Sequence, residues 1–394
     1  DDNYMEFRTN ASEKMRITSA GNVQINGAGN YSQLQIISTG AESGIKFVDS
    51  GGTVDGFIYA TGSTMGFLNG SGAYTFKVDA NSRISLSNND GNTGNTVFGY
   101  RALTNAGTVL GNVGADYNTA VGHLAIGTGT TTTAVQNTSV GYRALTDLTI
   151  GNGNNAFGYD ALTNITKGRY NIGVGANALY SETIGDGSIA IGEGAGYTQV
   201  SGSDNLGIGN IYVGLGAGYY NATGANNTIL GYNSGNRTTG ASNTYVGFSA
   251  GKGTAGADAN NVGVGSSALL AVTTGSNNVA IGKDALDKST IGATNTAIGT
   301  GALTDDVLGN GTTAVGYASL WKQAVTGDNT ITHNTAVGGY AGYHNVTGLN
   351  NTYIGYEAGF GASGQSNSNN TGVGTDALTS ITDGGYNVAV GSRC

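Results

Sequence analysis

The chain has 394 residues, of which 71 are glycine, none is proline and only 10% are charged. Its formal net charge is −9, with no basic stripe for nucleic acid and no apolar run of membrane-spanning length. The aliphatic content is too thin for one large core, and breakers every few residues leave no window for a stable helix.

Residues 1–90 alternate short strand-like runs with turn signals. The runs include Tyr4–Arg8, Lys14–Thr18, Asn22–Ile25, Leu34–Ile37, Gly44–Val48, Gly56–Tyr59, Tyr74–Val78 and Arg83–Leu86, and the turns include Asn26-Gly27, Ser50–Gly52 and Asn69-Gly70. Such spacing predicts a hairpin-rich, all-β collar or stalk. A polar linker, Ser87–Gly94, leads out of it.

Residues 91–394 are built from one motif in seventeen copies, seen plainly at Asn118–Gly122, Asn295–Gly299 and Asn334–Gly338. Its glycines run from Gly99 to Gly391, and nine of the sixteen steps between them are 17 residues long. A fixed period predicts a stacked, quasi-one-dimensional architecture. The fold class expected is all-β, a parallel β-roll or solenoid of about seventeen coils of about 17 residues. At about 4.8 Å per coil its length is on the order of 80 Å. Missing proline suits continuous backbone ladders.

Each place in the motif has a physical reading. Thr, Val or Ile three before the glycine in every copy but that of Asn155, and a large apolar residue just before it (Phe98, Val121, Ile191, Leu230, Ile354), specify a short half-buried strand. The apolar residue before the glycine is expected to fill the core. The glycine allows a sharp turn at positive φ, and the Ala or Ser three residues on leaves room where coils crowd. Four before the glycine stands Asn in fifteen copies, with Ser188 and Thr312 as exceptions. Asn95, Asn118, Asn137, Asn154, Asn171, Asn278, Asn295, Asn334, Asn351 and Asn387 are candidates for a side-chain ladder from coil to coil, each Asn shaping a local turn being the alternative.

Chemistry-bearing residues are sparse. Carboxylates two after the glycine (Asp160, Asp284, Glu357, Asp376) share their place with Arg101, Arg143, Asn177 and Ser249, which reads as an exposed, unconstrained position. Glu357 and Asp376 fall on adjacent coils, about 5 Å apart by coil spacing, near the separation of a retaining glycosidase pair, but a solvated face is the expectation. Asp305-Asp306 reads as an insertion-side turn. His123, His333 and His344 form no spaced ligand pair, although one His per chain on a three-fold axis could make a metal ring. No metal, cofactor or catalytic residue is expected, and Gly214–Gly218 is a repeat corner rather than a phosphate cradle. Twelve Asn-x-Ser/Thr sequons are what an Asn- and Thr-rich chain produces by chance. The single cysteine, Cys394, falls at the Ala place of the last copy and reads as a small packing residue.

Tyr recurs just after the motif glycine, at Tyr100, Tyr142, Tyr159, Tyr232, Tyr317 and Tyr356. The rings either stack on neighbours or contact other chains, or they offer a flat carbohydrate-binding face. Three longer steps should bulge outward at Thr104–Tyr117, Thr198–Gly209 and Trp321–His333, where recognition residues usually sit. The candidate binding residues are therefore Trp321, Tyr317, Tyr356 and His333.

The pattern Asn-Thr-Ala-Val-Gly-x-x-Ala is similar to the head repeat of trimeric autotransporter adhesins (the YadA-like head repeat), which form left-handed parallel β-roll trimers. This chain departs from that family in having a unit a few residues longer. Ser12–Asn22 resembles a segment of bacteriophage tail-fibre proteins, in which arrays of this kind often follow it. The repeat resemblance covers about three-quarters of the chain. Together they imply a homotrimeric, non-enzymatic fibre on a virion or cell surface. Its partners would be itself, other virion or fibre proteins, and a host surface glycan or protein receptor, with neither nucleic acid nor membrane insertion. A bacterial surface adhesin is the alternative origin. A polysaccharide-degrading tailspike or an ice-binding solenoid fits less well, since there is no clustered acidic groove and Ile172, Ile189, Val262 and Val388 break the Thr place. The chain begins at Asp1, as a fragment or processed piece would.

Overall fold

A computed structural model describes residues 5–9, 12–17, 23–25, 42–48, 54–61, 64–69, 74–78, 84–85, 94–103, 114–127, 133–200, 209–254, 256–328, 330–364, 366–382 and 384–394. The run Leu34–Ile37, the turn Asn26-Gly27 and most of the linker Ser87–Gly94 lie outside the described residues, as do residues 104–113 and 201–208 of the first two expected bulges. The chain divides into two units, 1–89 and 90–394.

The first unit is antiparallel. Strands β1 (Met5–Thr9), β2 (Ser12–Ile17) and β3 (Val23–Ile25) form one sheet in that order. Strands β4 (Glu42–Val48), β5 (Val54–Thr61), β6 (Thr64–Asn69), β7 (Tyr74–Val78) and β8 (Ile84–Ser85) form a five-stranded meander.

The second unit is a parallel β-solenoid. Each motif contributes one three-residue strand, from β9 (Thr96–Phe98) to β25 (Val388–Val390), paired in register with the strand of the next copy. Among the described residues β9 pairs only with the strand Thr119–Val121 and β25 only with Thr371–Val373, so the stack is open at both ends.

The core is narrow, and the middle residue of each strand enters it. Ala120, Ala156, Ala190 and Ala297 are fully buried there, joined by the Ala three after the glycine (Ala161, Ala302) and the Leu four after it (Leu162, Leu303). The apolar residue just before the glycine does not fill the core, which corrects the sequence expectation. It shares the outer face with the β-branched residue two places earlier, because side chains alternate along a strand. Ile191 is 42% exposed, Ile281 39% and Ile354 41%.

Large middle residues are accommodated by a volume exchange. Where the middle place holds Tyr212, Ile229, Tyr245 or Tyr353, the place six residues on holds Gly218, Gly235, Gly251 or Gly359 instead of Leu. A Cβ at Gly359 would fall 2.2 Å from the Tyr353 ring, and one at Gly218 would fall 2.1 Å from Tyr212. The buried phenols keep partners: Asn221 donates to Tyr212 at 2.8 Å, and Tyr245 is bonded to Asp258.

The motif asparagines run as a buried ladder. In fourteen of the sixteen steps the backbone N–H of one ladder residue donates to the side-chain oxygen of the Asn one coil earlier, at 2.7–3.0 Å. The amide nitrogen then donates to a carbonyl of the following coil, as from Asn154 to Gly168 and from Asn171 to Gly185, both at 2.7 Å. The side chains thereby satisfy backbone groups that a narrow core would otherwise bury unpaired.

The two remaining steps are those that leave Ser188 and Thr312, and both fall where the motif glycines are 22 residues apart rather than 17. A buried Gln takes over each time. Gln199 donates to Ser188 (2.9 Å) and Glu182 (2.8 Å) and accepts from Asn210 (3.0 Å). Gln323 donates to Thr312 (2.9 Å) and Asp306 (3.0 Å) and accepts from Asn334 (2.9 Å). Asp306, expected only to shape an insertion-side turn, is therefore a buried structural acceptor.

Candidate functional site

The residues two after the glycine are constrained. Arg101, Arg143, Asp160, Asn177, Ser249, Asp284, Glu357 and Asp376 all hold φ between 53° and 58°. Asp160 and Ser249 are buried, so this place is neither free nor uniformly exposed. Two of its carboxylates pair along the column: Arg143 approaches Asp160 at 3.5 Å, and Arg393 approaches Asp376 at 3.3 Å. Asp376 is thus engaged by a cation of the next coil, and the adjacency of Glu357 and Asp376 does not leave it a free carboxylate.

Aromatic side chains gather on the coils of Gly316, Gly338 and Gly355. Tyr317 stands 52% exposed and Tyr356 51% exposed just past their glycines. Between them Tyr340 acts as a hub, edge-on to Tyr317 at 5.1 Å and to Tyr356 at 6.2 Å. Five residues past the glycines run Trp321, Tyr343 and Phe360, with ring centroids 6.3 and 5.4 Å apart. His344 closes edge-on to Tyr343 (4.7 Å) and Phe360 (4.9 Å). Burial, aided by the positive charge of Lys322, pushes the His344 pKa down and favours its neutral form.

The structure thus joins Trp321, Tyr317 and Tyr356 through Tyr340 and Tyr343, two residues the sequence reading passed over. A signal existed for Tyr343: aligning the copies on their glycines puts Trp321, Tyr343 and Phe360 in one column. His333 is not part of the cluster. It precedes the ladder residue Asn334, exposed and at φ 48°, at the other end of the strand, where its ring faces Gly311. Trp321 is half-buried, with its indole so close over Gly301 that a Cβ there would fall 2.2 Å from it. One face of the indole therefore holds the coil, while its neighbours continue the aromatic surface. Asp305 beside it accepts from Lys288 at 2.6 Å and Lys322 at 3.1 Å. These two lysines outweigh the effect of burial and lower the Asp305 pKa.

Aromatic residues just past other glycines contact one another along the solenoid, stacked at Tyr142–Tyr159 and Tyr232–Phe248 and tilted or edge-on at His123. Tyr100, His123, Tyr142 and Tyr159 follow one another at 5.2–5.3 Å, and Tyr232 stacks on Phe248 at 5.6 Å. Among the described residues no group of three or more His, Cys, Asp or Glu side chains is placed to hold a metal ion, and no helix is long and apolar enough to cross a membrane. Cys394 is exposed, with its thiol donating to the Gly391 carbonyl at 3.0 Å. Chemically, the cluster offers apolar ring faces rimmed by phenol hydroxyls, which suits adhesion to a ligand with apolar faces and hydroxyls. No known protein family, curated protein or solved structure matches the chain.

Proposed function

We propose that this chain is part of a homotrimeric bacteriophage tail fibre that projects from the virion and attaches to a host-cell surface glycan. The observation that carries the oligomer is the outward column of Val, Ile, Leu and Phe before each motif glycine, which a single chain leaves partly exposed along the whole solenoid. A continuous apolar stripe of this kind marks an interaction surface. A repeating stripe is most simply covered by identical stripes on further copies. The aromatic surface around Tyr340, with its ring faces and phenol hydroxyls, supports adhesion. The assignment to a tail fibre rests on the resemblance of Ser12–Asn22 and of the repeats that follow it.

Light scattering of the intact chain tests the reading. A particle of three chain masses supports it, and a monomer sinks it. Adsorption to host cells tests the surface: Tyr317→Ala combined with Tyr356→Ala, both half-exposed, is expected to reduce adsorption with an unchanged melting temperature.

A further inference from the structure

The column five residues past the glycine carries a second aromatic run, far from the first. In three consecutive coils it holds Tyr180, Tyr197 and Tyr219. Their rings stack at 5.0 and 4.8 Å and lie within 5° of parallel. The stack then stops, because the next two coils put Asn236 and Lys252 in that column. At this transition lies a cleft of about 440 Å³ lined by Tyr197, Tyr219, Tyr220, Asn236, Arg237 and Lys252. Tyr220 stands edge-on to Tyr219 at 4.7 Å, and the Arg237 guanidinium lies 5.8 Å from the Tyr220 ring centroid.

The charge of this cleft runs against that of the chain. Arg237 and Lys252 are in no ion pair among the described residues. They face one lining carboxylate, Glu193, so the cleft is net positive in a chain of net charge −9. Ring faces suit the apolar faces of pyranose rings, while Asn236 and Glu193 suit their hydroxyls. A guanidinium and an ammonium beside these groups suit a carboxylate, the guanidinium by a paired hydrogen bond.

We infer that the cleft beside the Tyr180–Tyr197–Tyr219 stack binds a carboxylate-bearing glycan of the polyuronate type. This deepens the reading of the chain as a glycan-binding fibre and rests on it. The Trp321–Tyr343–Phe360 run serves neutral sugars by contrast, since Ser380 stands where the coil after the tyrosine stack has Arg237, and its own Lys322 is paired with Asp305.

The test is titration of the intact protein with a short oligogalacturonate, its carboxyl-reduced counterpart and an oligoglutamate. The uronate is expected to bind more weakly as salt is raised. Binding should fall at least about tenfold on carboxyl reduction and in Arg237→Ala/Lys252→Ala, because charge-assisted bonds are lost. Tyr220→Ala, at a residue 47% exposed, should weaken it without altering the melting temperature. Equal binding of the reduced oligomer, equal binding of oligoglutamate, or no binding of the uronate would each overturn the assignment. Host-cell adsorption separates the two readings. Adsorption that persists while the uronate titration is silent sinks the cleft and spares the fibre, whereas uronate binding without adsorption to any host sinks the fibre and spares the cleft.

Discussion

At the scale of single residues, the motif glycine is required twice over. Gly141 sits at φ 137°, and a Cβ there would lie 2.3 Å from the Gly158 carbonyl oxygen of the next coil. Gly141→Ala should therefore cost at least about 1–3 kcal/mol from backbone strain, with the backbone clash added. A denaturant midpoint unchanged from wild type would refute that account. The ladder asparagine is a different kind of requirement. Asn154 accepts the N–H of Asn171 and donates to the Gly168 carbonyl, all in the buried core. Asn154→Leu keeps the volume but strands both backbone groups, at a cost of about 2–4 kcal/mol. Asn154→Ser, which keeps a hydroxyl at that place as Ser188 does, should recover little of it without a Gln to bridge the gap.

At the scale of the coil, packing is set by pairs of places rather than by one. Ala297 with Leu303 and Tyr353 with Gly359 are two solutions of the same volume. Ala297→Tyr alone should destabilise by overpacking, by about 1–3 kcal/mol or more. Adding Leu303→Gly should restore part of the loss, and a double-mutant cycle with no coupling would rule out the exchange. The Gln bridges also carry a pH signature. Burial lifts the Asp306 carboxyl from its ordinary 3.8 to about 6, although Gln323 and the N–H of Gly309 pull it back. Asp258, buried against Tyr245, is likewise lifted to about 6. Folded values above the unfolded one mean that the folded coil binds more protons between about pH 4 and 6. These two groups therefore favour the fold on acidification, and their stabilising effect is lost as pH rises through about 6. Melting scans should show the difference between Asp306→Asn/Asp258→Asn and wild type shrinking as the pH is lowered from 7 to about 4.

At the scale of the whole molecule, the outward apolar column and the two aromatic runs set what the solenoid can do. If identical chains cover the column, Val174→Lys with Ile281→Lys should split the particle into monomers of unchanged β-sheet circular dichroism. A particle that keeps its mass would place the interface elsewhere. The runs centred on Tyr197 and Tyr343 belong to the coils of Gly192 and Gly338, eight coil steps apart. In-register stacking puts them about 38 Å apart along the axis. A long glycan reaching both would gain avidity from effective concentration.

The seventeen-copy period, the absence of proline and the alternation within each strand determined by themselves that the second unit is a parallel stack of short strands. They were enough because stacking a fixed unit leaves a chain of small residues few other ways to pair its backbone. The aromatic residues near the glycines were visible too, and so was the Asn column. Which face the apolar column takes was decided by tertiary structure, since alternation names two faces without saying which is inside. A core this narrow, filled in each coil by little more than an Ala, a Leu or Gly and one strand residue, with Leu148, Ile165 and Val272 added in three coils, admits the middle place and turns the larger neighbours out. The same holds for Gln199 and Gln323, whose roles exist only once a coil stacks on the one before it. It holds as well for the union of Trp321 with Tyr340 and Tyr343 and the separation of His333, because these depend on where a side chain falls around the coil rather than on its distance along the chain.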